Sequence, residues 1–192
     1  QALQNHLSHH GNDICAFMFE PMQGEGGFRA PTREFLVPLL EFCRTHHIPI
    51  WTDEVQTFCR TGEMFAYDLF GIGEYIDICT IAKTAQVGVT LYTEEFNPKP
   101  GLVAGTFAGS SVSLAAGCEI FDILTTEGYL GPHGRISQIH EEFVSALQRL
   151  SAGSCEGCLS DVDGLGLMVA FTPFEGTKEQ SLNLCKELFN NG

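Results

Sequence analysis

Three residues that could do chemistry directly follow apolar segments of the sequence: Glu20, Asp53 and Lys83. Asp53 and Lys83 are 30 residues apart, and no other lysine occurs before Lys99. A lysine sheltered at the end of an apolar strand can supply a neutral amine, which adds to a carbonyl carbon to form an imine. Taken singly, each residue also has an ordinary interpretation, since an Asp after a strand often caps a turn and a lone Lys is usually a solvated surface charge.

The apolar segments before these residues have the length and composition of buried strands. Strands are expected at 14–19, 48–52, 76–82, 87–92 and 165–171. Helices are expected at 33–46 (with Thr32 as N-cap), 111–124, 136–150 and 178–190. Alternating strands and helices predict an α/β fold with a mostly parallel sheet and flanking helices. In such sheets ligands bind beyond the carboxyl ends of the strands, so we expect Glu20, Asp53 and Lys83 to converge on one site.

Glycine and proline interrupt the pattern at residues 128–134 and small polar residues interrupt it at 151–157, and a strand and a helix follow. We therefore expect two domains. Residues 1–150 would form part of a large domain with its connecting helix. Residues 151–192 would form the start of a small α+β C-terminal domain.

The composition is that of a globular protein, with 44% hydrophobic and 18% charged residues. The formal net charge of −14 argues against nucleic acid or an anionic membrane as a partner. No apolar run approaches the roughly 20 residues that span a bilayer, and the polar N-terminal residues do not resemble a signal peptide. A cytoplasmic protein without nucleic-acid or membrane partners is the expectation.

The eight cysteines are expected to be reduced and mostly structural, because several lie in apolar segments where a thiol packs as a small hydrophobe. Cys155 and Cys158 have half the spacing of a zinc site. Neither a second cysteine pair nor a suitably spaced histidine pair follows them, so no metal site is predicted.

Four sequence motifs occur in an order that resembles the class III aminotransferases, the group that includes acetylornithine, ornithine and 4-aminobutyrate aminotransferases. They are EPMQGEGG at 20–27, DEVQT at 53–57 followed by RTG at 60–62, TIAK at 80–83, and GTFAG at 105–109. The resemblance covers residues 15–171. It implies a large domain of the fold-type I pyridoxal-phosphate enzymes and amino-group transfer between an amino acid or ω-amine and a 2-oxo acid.

The resemblance also implies a role for each matching residue. Lys83 would hold pyridoxal 5′-phosphate as a Schiff base and then serve as general acid and base. Asp53 would pair with the pyridine nitrogen and keep it protonated, so that the ring withdraws electrons from the substrate. Val55 would pack against one face of the ring, and Gln56 would bond its phenolic oxygen.

The remaining matches concern the substrate and a second subunit. Glu20 and Glu25 resemble carboxylates on the substrate side of the pocket, although residues 23–27 also suit a simple flexible turn. Thr106 resembles a hydroxyl that reaches the cofactor phosphate of a partner subunit, which implies a homodimer with shared active sites.

The sequence departs from the family pattern at two glycine-rich turns. Family members usually have DEVQTGxGRTG, whereas residues 53–62 are one residue shorter and lack the two inner glycines. The turn after Lys83 also lacks the usual glycines. In addition, the family's phosphate-binding segments, the aromatic that stacks on the ring and a substrate arginine have no counterpart here. A partial chain that binds the cofactor weakly, and is inactive alone, is expected.

Two alternatives remain open from the sequence. One keeps the cofactor and changes the reaction to that of an aminomutase, decarboxylase or racemase. The other is a cofactor-free scaffold or binding module that retained the fold. Retention of Asp53, Gln56, Lys83 and Thr106 argues against the second alternative.

Overall fold

A computed structural model describes residues 2–11 and 13–192, and its centre is a four-stranded sheet. The strands lie side by side in chain order: β1 (Phe17–Phe19), β2 (Ile50–Asp53), β3 (Ile78–Ile81) and β4 (Val89–Tyr92). The first three are parallel, which confirms the mostly parallel α/β sheet. β4 runs antiparallel to β3. Only seven residues join these two strands, too few for the crossover that a parallel pair requires.

The C-terminal part contains a second, two-stranded antiparallel sheet. Its strands are β5 (Leu159–Leu165) and β6 (Met168–Pro173), where a single strand at 165–171 was expected. That expectation was wrong because Gly166 and Leu167, near its start, form a tight turn, and because β5, with three polar side chains and a glycine, has no apolar run that would reveal it. Gly166 adopts φ +55°, a conformation that glycine takes readily, while the apolar Leu167 hides the turn in the sequence pattern.

Six α-helices accompany the two sheets within the described residues. They are α1 (Ala2–His10), α2 (Arg33–Thr45), α3 (Ala66–Leu69), α4 (Ser111–Thr126), α5 (Arg135–Ala152) and α6 (Lys178–Asn191). Four match the expected helices to within two residues at each end. The N-cap of α2 is Thr32, whose hydroxyl accepts a hydrogen bond from the Phe35 N–H at 3.3 Å. The sequence analysis did not anticipate α1, which packs Leu3 and Leu7 against the core.

Two clusters of buried side chains hold these elements together. The first joins α2 to β2 and consists of Leu36, Leu40, Cys43, Ile48, Ile50 and Ile72. The second lies under the carboxyl end of β3 and consists of Phe58, Cys59, Cys79, Ile81 and Ala85, with Phe121 of α4 packed against it. The carboxyl ends of β2 and β3 are therefore held in place by buried apolar side chains.

Across residues 2–11 and 13–192, no helix is both long and apolar enough to cross a membrane.

Candidate functional site

The carboxyl ends of the three parallel strands bring Glu20, Asp53 and Lys83 to one edge of the sheet. Glu20 directly follows β1, Asp53 ends β2, and Lys83 comes two residues after β3. Asp53 is the register partner of Thr80, and the next residue along donates its backbone N–H to the Thr80 carbonyl at 2.8 Å. The strand ends are thus held side by side, as the sequence predicted.

Asp53 and Val55 form the first turn beyond β2. Both are half-buried, and the Val55 N–H donates to Asp53 Oδ1 at 2.9 Å. This bond fixes the carboxylate orientation at the strand end, because a side chain that accepts from the backbone two residues on closes a small ring. The same contact positions Val55 next to the carboxylate.

Lys83 starts a single turn of 3₁₀ helix, Lys83–Ala85, and its backbone has φ +32°. The expectation of a sheltered lysine was wrong for this chain: β3 before it is partly to fully buried, but the backbone turns at Lys83, and Lys83 is exposed. Gln86 also has a left-handed backbone, with φ +56°, and its amide donates to the Lys83 carbonyl at 2.8 Å. The turn therefore keeps an unusual shape without the glycines that would favour it.

The turn after β1 is closed by an internal hydrogen bond and contacts Gln56. The Gly24 N–H donates to Glu20 Oε2 at 2.8 Å, which closes the turn, and Gln56 Nε2 donates to Glu25 Oε1 at 3.2 Å. The Gln56 amide lies directly over Gly24, where an added Cβ would come within 2.5 Å of it. Glu20 thus shapes the turn, while Glu25 and Gln56 face an open cavity of about 290 Å³. The cavity is lined by Gly24, Glu25, Gly27, Phe28, Gln56 and Ala170.

Thr106 lies outside this group of residues. It belongs to the loop of residues 101–109 before α4, every residue of which is exposed. The Thr106 residue is therefore accessible to solvent and to other molecules.

Glu54 is a residue that the sequence analysis missed. Its side chain is fully buried and accepts hydrogen bonds from the Thr57 hydroxyl and from the N–H groups of Ala66 and Tyr67, the last two at 3.0 Å each. Burial raises the pKa of Glu54, although these donors oppose the shift. A second carboxylate directly after Asp53, three residues before a threonine, was the available signal. Glu54 fastens the segment that carries Val55 and Gln56 to the start of α3.

The shortened loop at 57–62 is filled by side chains instead of glycines. Phe58 and Cys59 are only 1% and 2% exposed, and the Phe58 ring packs 5.4 Å from that of Phe121. Cys59 adopts φ +54°, the left-handed conformation for which glycine is favoured. Burial raises the pKa of the Cys59 thiol to about 12, so this thiol is inert.

Arg60 connects this loop to two other parts of the chain. Its Nε donates to the Thr84 hydroxyl at 3.0 Å, next to Lys83, and its carbonyl accepts from the Leu167 N–H at 2.8 Å. The tip of the β5–β6 hairpin is therefore docked against the loop that borders the sheet edge. Before the structure, Arg60 could be named only as part of a motif.

The groups at the sheet edge fit the ring side of pyridoxal phosphate by their chemistry. A half-buried carboxylate, a primary amine, an apolar side chain and an amide are a donor set suited to a protonated ring nitrogen, a carbonyl carbon, a ring face and a phenolic oxygen respectively. Among residues 2–11 and 13–192, no cluster of three or more His, Cys, Asp or Glu side chains could hold a metal ion.

Comparison with known proteins gives the same family throughout. The class III aminotransferase model matches residues 1–192. Over 186 residues the chain is 34% identical to 4-aminobutyrate aminotransferase of Mycobacterium tuberculosis, covering 92% of this chain and 40% of that protein. Over 165 residues it is 33% identical to succinylornithine transaminase of Salmonella enteritidis, covering 82% and 39% respectively.

Solved structures agree with the sequence relatives. Ornithine aminotransferase of Plasmodium yoelii superposes with a TM-score of 0.83 at 25% identity, over all of this chain and 50% of its own. Lysine aminotransferase of M. tuberculosis gives a TM-score of 0.80 at 27% identity, over 89% and 40%.

This chain belongs to the class III aminotransferase family. Members of this family depend on pyridoxal phosphate. The chain spans about 40% of the length of the curated relatives that it matches.

Proposed function

We propose that this chain is part of an aminotransferase that moves an amino group between an amino acid or ω-amine and a 2-oxo acid, with pyridoxal 5′-phosphate as cofactor. The observation that carries the proposal is the placement of Asp53 and Lys83 at adjacent strand ends on one edge of a parallel sheet, in a chain of this family. The relatives are named for transamination of 4-aminobutyrate, succinylornithine, ornithine and lysine, which favours transfer over aminomutase or decarboxylase chemistry.

Each site residue has a proposed task. The Asp53 carboxylate holds a proton on the ring nitrogen, and its bond to the Val55 N–H keeps it oriented toward that partner. Val55 supports one ring face, and Gln56 donates to the phenolic oxygen. When bound, the cofactor supplies an electron-withdrawing ring that stabilises negative charge on the substrate carbon. Lys83 Nζ is the covalent attachment point and afterwards carries a proton to and from that carbon.

The substrate side of the proposed site is the turn at residues 20–27. Glu25 is exposed and accepts from Gln56, so a cationic substrate group or an arginine could compete for it. Glu20 is engaged with the Gly24 N–H and acts on the substrate by holding the turn in shape. The acceptor is a 2-oxo acid.

The proposed assembly is a homodimer with shared sites, in which Thr106 of one subunit reaches the phosphate of the other's cofactor. The exposed position of Thr106 supports this, since it lies in a loop whose apolar side chains Leu102, Val103 and Phe107 are also exposed. A cytoplasmic location is also proposed.

Covalent labelling tests the attachment site. With pyridoxal phosphate in excess, borohydride reduction and peptide mapping are expected to place most label on Lys83. The other three lysines, Lys99, Lys178 and Lys186, are also exposed and serve as internal controls. Lys83→Arg should abolish the dominant label, whereas Lys99→Arg should preserve it. Equal labelling of all four lysines would contradict the assignment.

The role of Asp53 is tested by titrating the chain with pyridoxal phosphate and measuring its affinity. Hydrogen bonds to charged partners contribute about 1.5–3 kcal/mol, so Asp53→Ala is expected to weaken cofactor binding about 10- to 100-fold. Asp53→Asn can still accept a hydrogen bond from the Val55 N–H but carries no negative charge. It therefore distinguishes the effect of losing the charge from the effect of losing the turn. Unchanged affinity for pyridoxal phosphate in both variants would show that Asp53 does not bind the cofactor.

A further inference from the structure

Cys155 and Cys158 flank a tight turn between α5 and β5. The Cys158 N–H donates to the Cys155 carbonyl at 2.9 Å, and Gly157, third in the turn, has φ +75°. These are the features of a type II β-turn, whose outer Cα atoms lie within about 7 Å. Disulfides join Cα atoms about 4.4–6.8 Å apart. The turn therefore holds the two cysteines at a separation compatible with a bond between them.

The turn is fixed on both sides and open on the outside. The Cys155 N–H donates to the Leu150 carbonyl at the end of α5, and the Phe174 N–H donates to the Cys158 carbonyl, both at 2.8 Å. Cys158 is exposed, Cys155 is half-buried, and a Cβ built on Gly157 would have nothing within 4 Å. A second molecule can approach the Cys158 sulfur while the backbone keeps Cys155 near it.

The other cysteines lack this combination. Cys43, Cys59 and Cys79 are buried, and burial raises the pKa of each thiol, for Cys59 and Cys79 to about 12. Such thiols form little of the reactive thiolate. Cys15, Cys118 and Cys185 are exposed, but they lie singly before β1, on α4 and on α6.

We propose that Cys155 and Cys158 form a reversible disulfide by exchange with an external disulfide, either a small molecule or a protein. The Cys158 thiolate attacks one sulfur of the external disulfide, whose S–S bond breaks and releases a thiolate that takes up a proton. The Cys155 thiolate then attacks the Cys158 sulfur and displaces the second thiolate, which is also protonated. The two thiols of the chain are oxidised, and the external disulfide is reduced to two thiols.

Oxidised glutathione is the probe for this exchange on the whole chain. After incubation, acid quenching and alkylation, peptide mapping is expected to find a 155–158 peptide that is two hydrogen atoms lighter and resists alkylation. Dithiothreitol should restore both alkylation sites. A lasting glutathione adduct on Cys158 beside an alkylated Cys155 would overturn the proposal, as would a bond from either residue to another cysteine.

Three variants sharpen the result. Cys155→Ser should stop the reaction at a glutathione adduct on Cys158, and Cys118→Ser, which removes an exposed cysteine elsewhere, should leave the internal bond unaffected. Phenylarsine oxide, which binds paired thiols, gives an independent measurement. Its uptake is expected to fall by one equivalent in Cys155→Ser and in Cys158→Ser and to stay unchanged in Cys118→Ser. Uptake that does not depend on either turn cysteine would overturn the proposal.

Discussion

Asp53 and Glu54 are adjacent carboxylates with opposite surroundings. Side chains alternate across a strand, so Asp53 lies at the half-buried sheet edge while Glu54 points into the core. Asp53 accepts one backbone N–H and keeps acceptor capacity for a ligand. Glu54 accepts from three donors within the chain. The first is suited to binding, and the second to holding the loop that shapes the site.

The raised pKa of Glu54 predicts a pH-dependent stability. Its ordinary value is 4.5, and burial raises it, so the protonated form favours the folded state. That contribution is complete below pH 4.5 and is lost as pH rises through the higher folded-state pKa. Glu54→Gln should lower the free energy of unfolding by about 1–3 kcal/mol, because the amide NH₂ faces a donor. Urea titrations should show this deficit narrowing as pH rises.

The matched control for Glu54 is Glu119, which is exposed on α4. Glu119→Gln is expected to change the free energy of unfolding by less than about 0.5 kcal/mol at every pH. A Glu54→Gln deficit that stays constant from about pH 4 to pH 8 would show that burial does not perturb this carboxyl.

At the residue scale, the sequence predicted the positions of the site residues on the sheet better than it predicted the contacts and exposure of each side chain. Glu20, Asp53 and Lys83 could be assigned to one edge because parallel strands end together. The task of Glu54 could not be inferred, since its donors Ala66 and Tyr67 come twelve and thirteen residues later. The exposure of Lys83 depends on the backbone turn that begins at that residue, which the apolar segment before it does not specify.

At the scale of elements, the β5–β6 hairpin is docked on the 57–62 loop through Gly166. This glycine is buried at φ +55°, and its carbonyl accepts from a ring nitrogen of His140 on α5 at 2.8 Å. An added Cβ would lie 2.1 Å from the Arg60 carbonyl oxygen. No side chain fits that space, so the close approach of the hairpin to the loop depends on glycine.

Gly166→Ala is therefore expected to destabilise the chain by about 2–4 kcal/mol, combining backbone strain with overlap against Arg60. Gly128→Ala is the matched control, because Gly128 has φ +71° but open space at its Cβ. It should cost only about 1–2 kcal/mol from the left-handed backbone. Thermal and urea unfolding compare the two variants. Equal losses in the free energy of unfolding would mean that the hairpin moves away from Arg60 at no energetic cost.

Two features of the elements could not be predicted from the apolar pattern, each for its own reason. The antiparallel direction of β4 follows from a short connection, which strand composition alone does not reveal. β5 was missed because its seven residues include three polar side chains and a glycine, so they form no apolar run. The long helices were well predicted, because their apolar periodicity extends over several turns.

At the scale of the whole molecule, a series of exposed apolar side chains lies before and at the start of α4. Leu102, Val103, Phe107 and Val112 are 73%, 75%, 87% and 78% exposed. Apolar groups clustered in this way are costly in water and are typical of an interface. The net charge of −14 opposes association, but salt screens it over about 8 Å. The proposed dimer would bury this loop.

In the whole protein, Phe107→Ser is expected to weaken the dimer at least about tenfold, as loss of a central aromatic contact does. Phe189, 88% exposed on α6, provides the control for removing an equally exposed ring elsewhere. Sedimentation equilibrium measures both variants. Weakening by Phe189→Ser but not by Phe107→Ser would move the interface to α6.

The hydrogen bonds that Glu54 accepts also affect how quickly two backbone amide hydrogens exchange with water. The Ala66 and Tyr67 amides sit at the start of a four-residue helix, where a backbone N–H has no carbonyl partner within its own helix and would exchange quickly. Here one buried carboxylate protects both, so their deuterium uptake should rise together whenever the segment from Val55 to Phe65 opens. Strand amides paired through Thr80 should remain slow during such openings. The exchange rate of these two neighbouring amides thus measures how often the loop beside Asp53 opens.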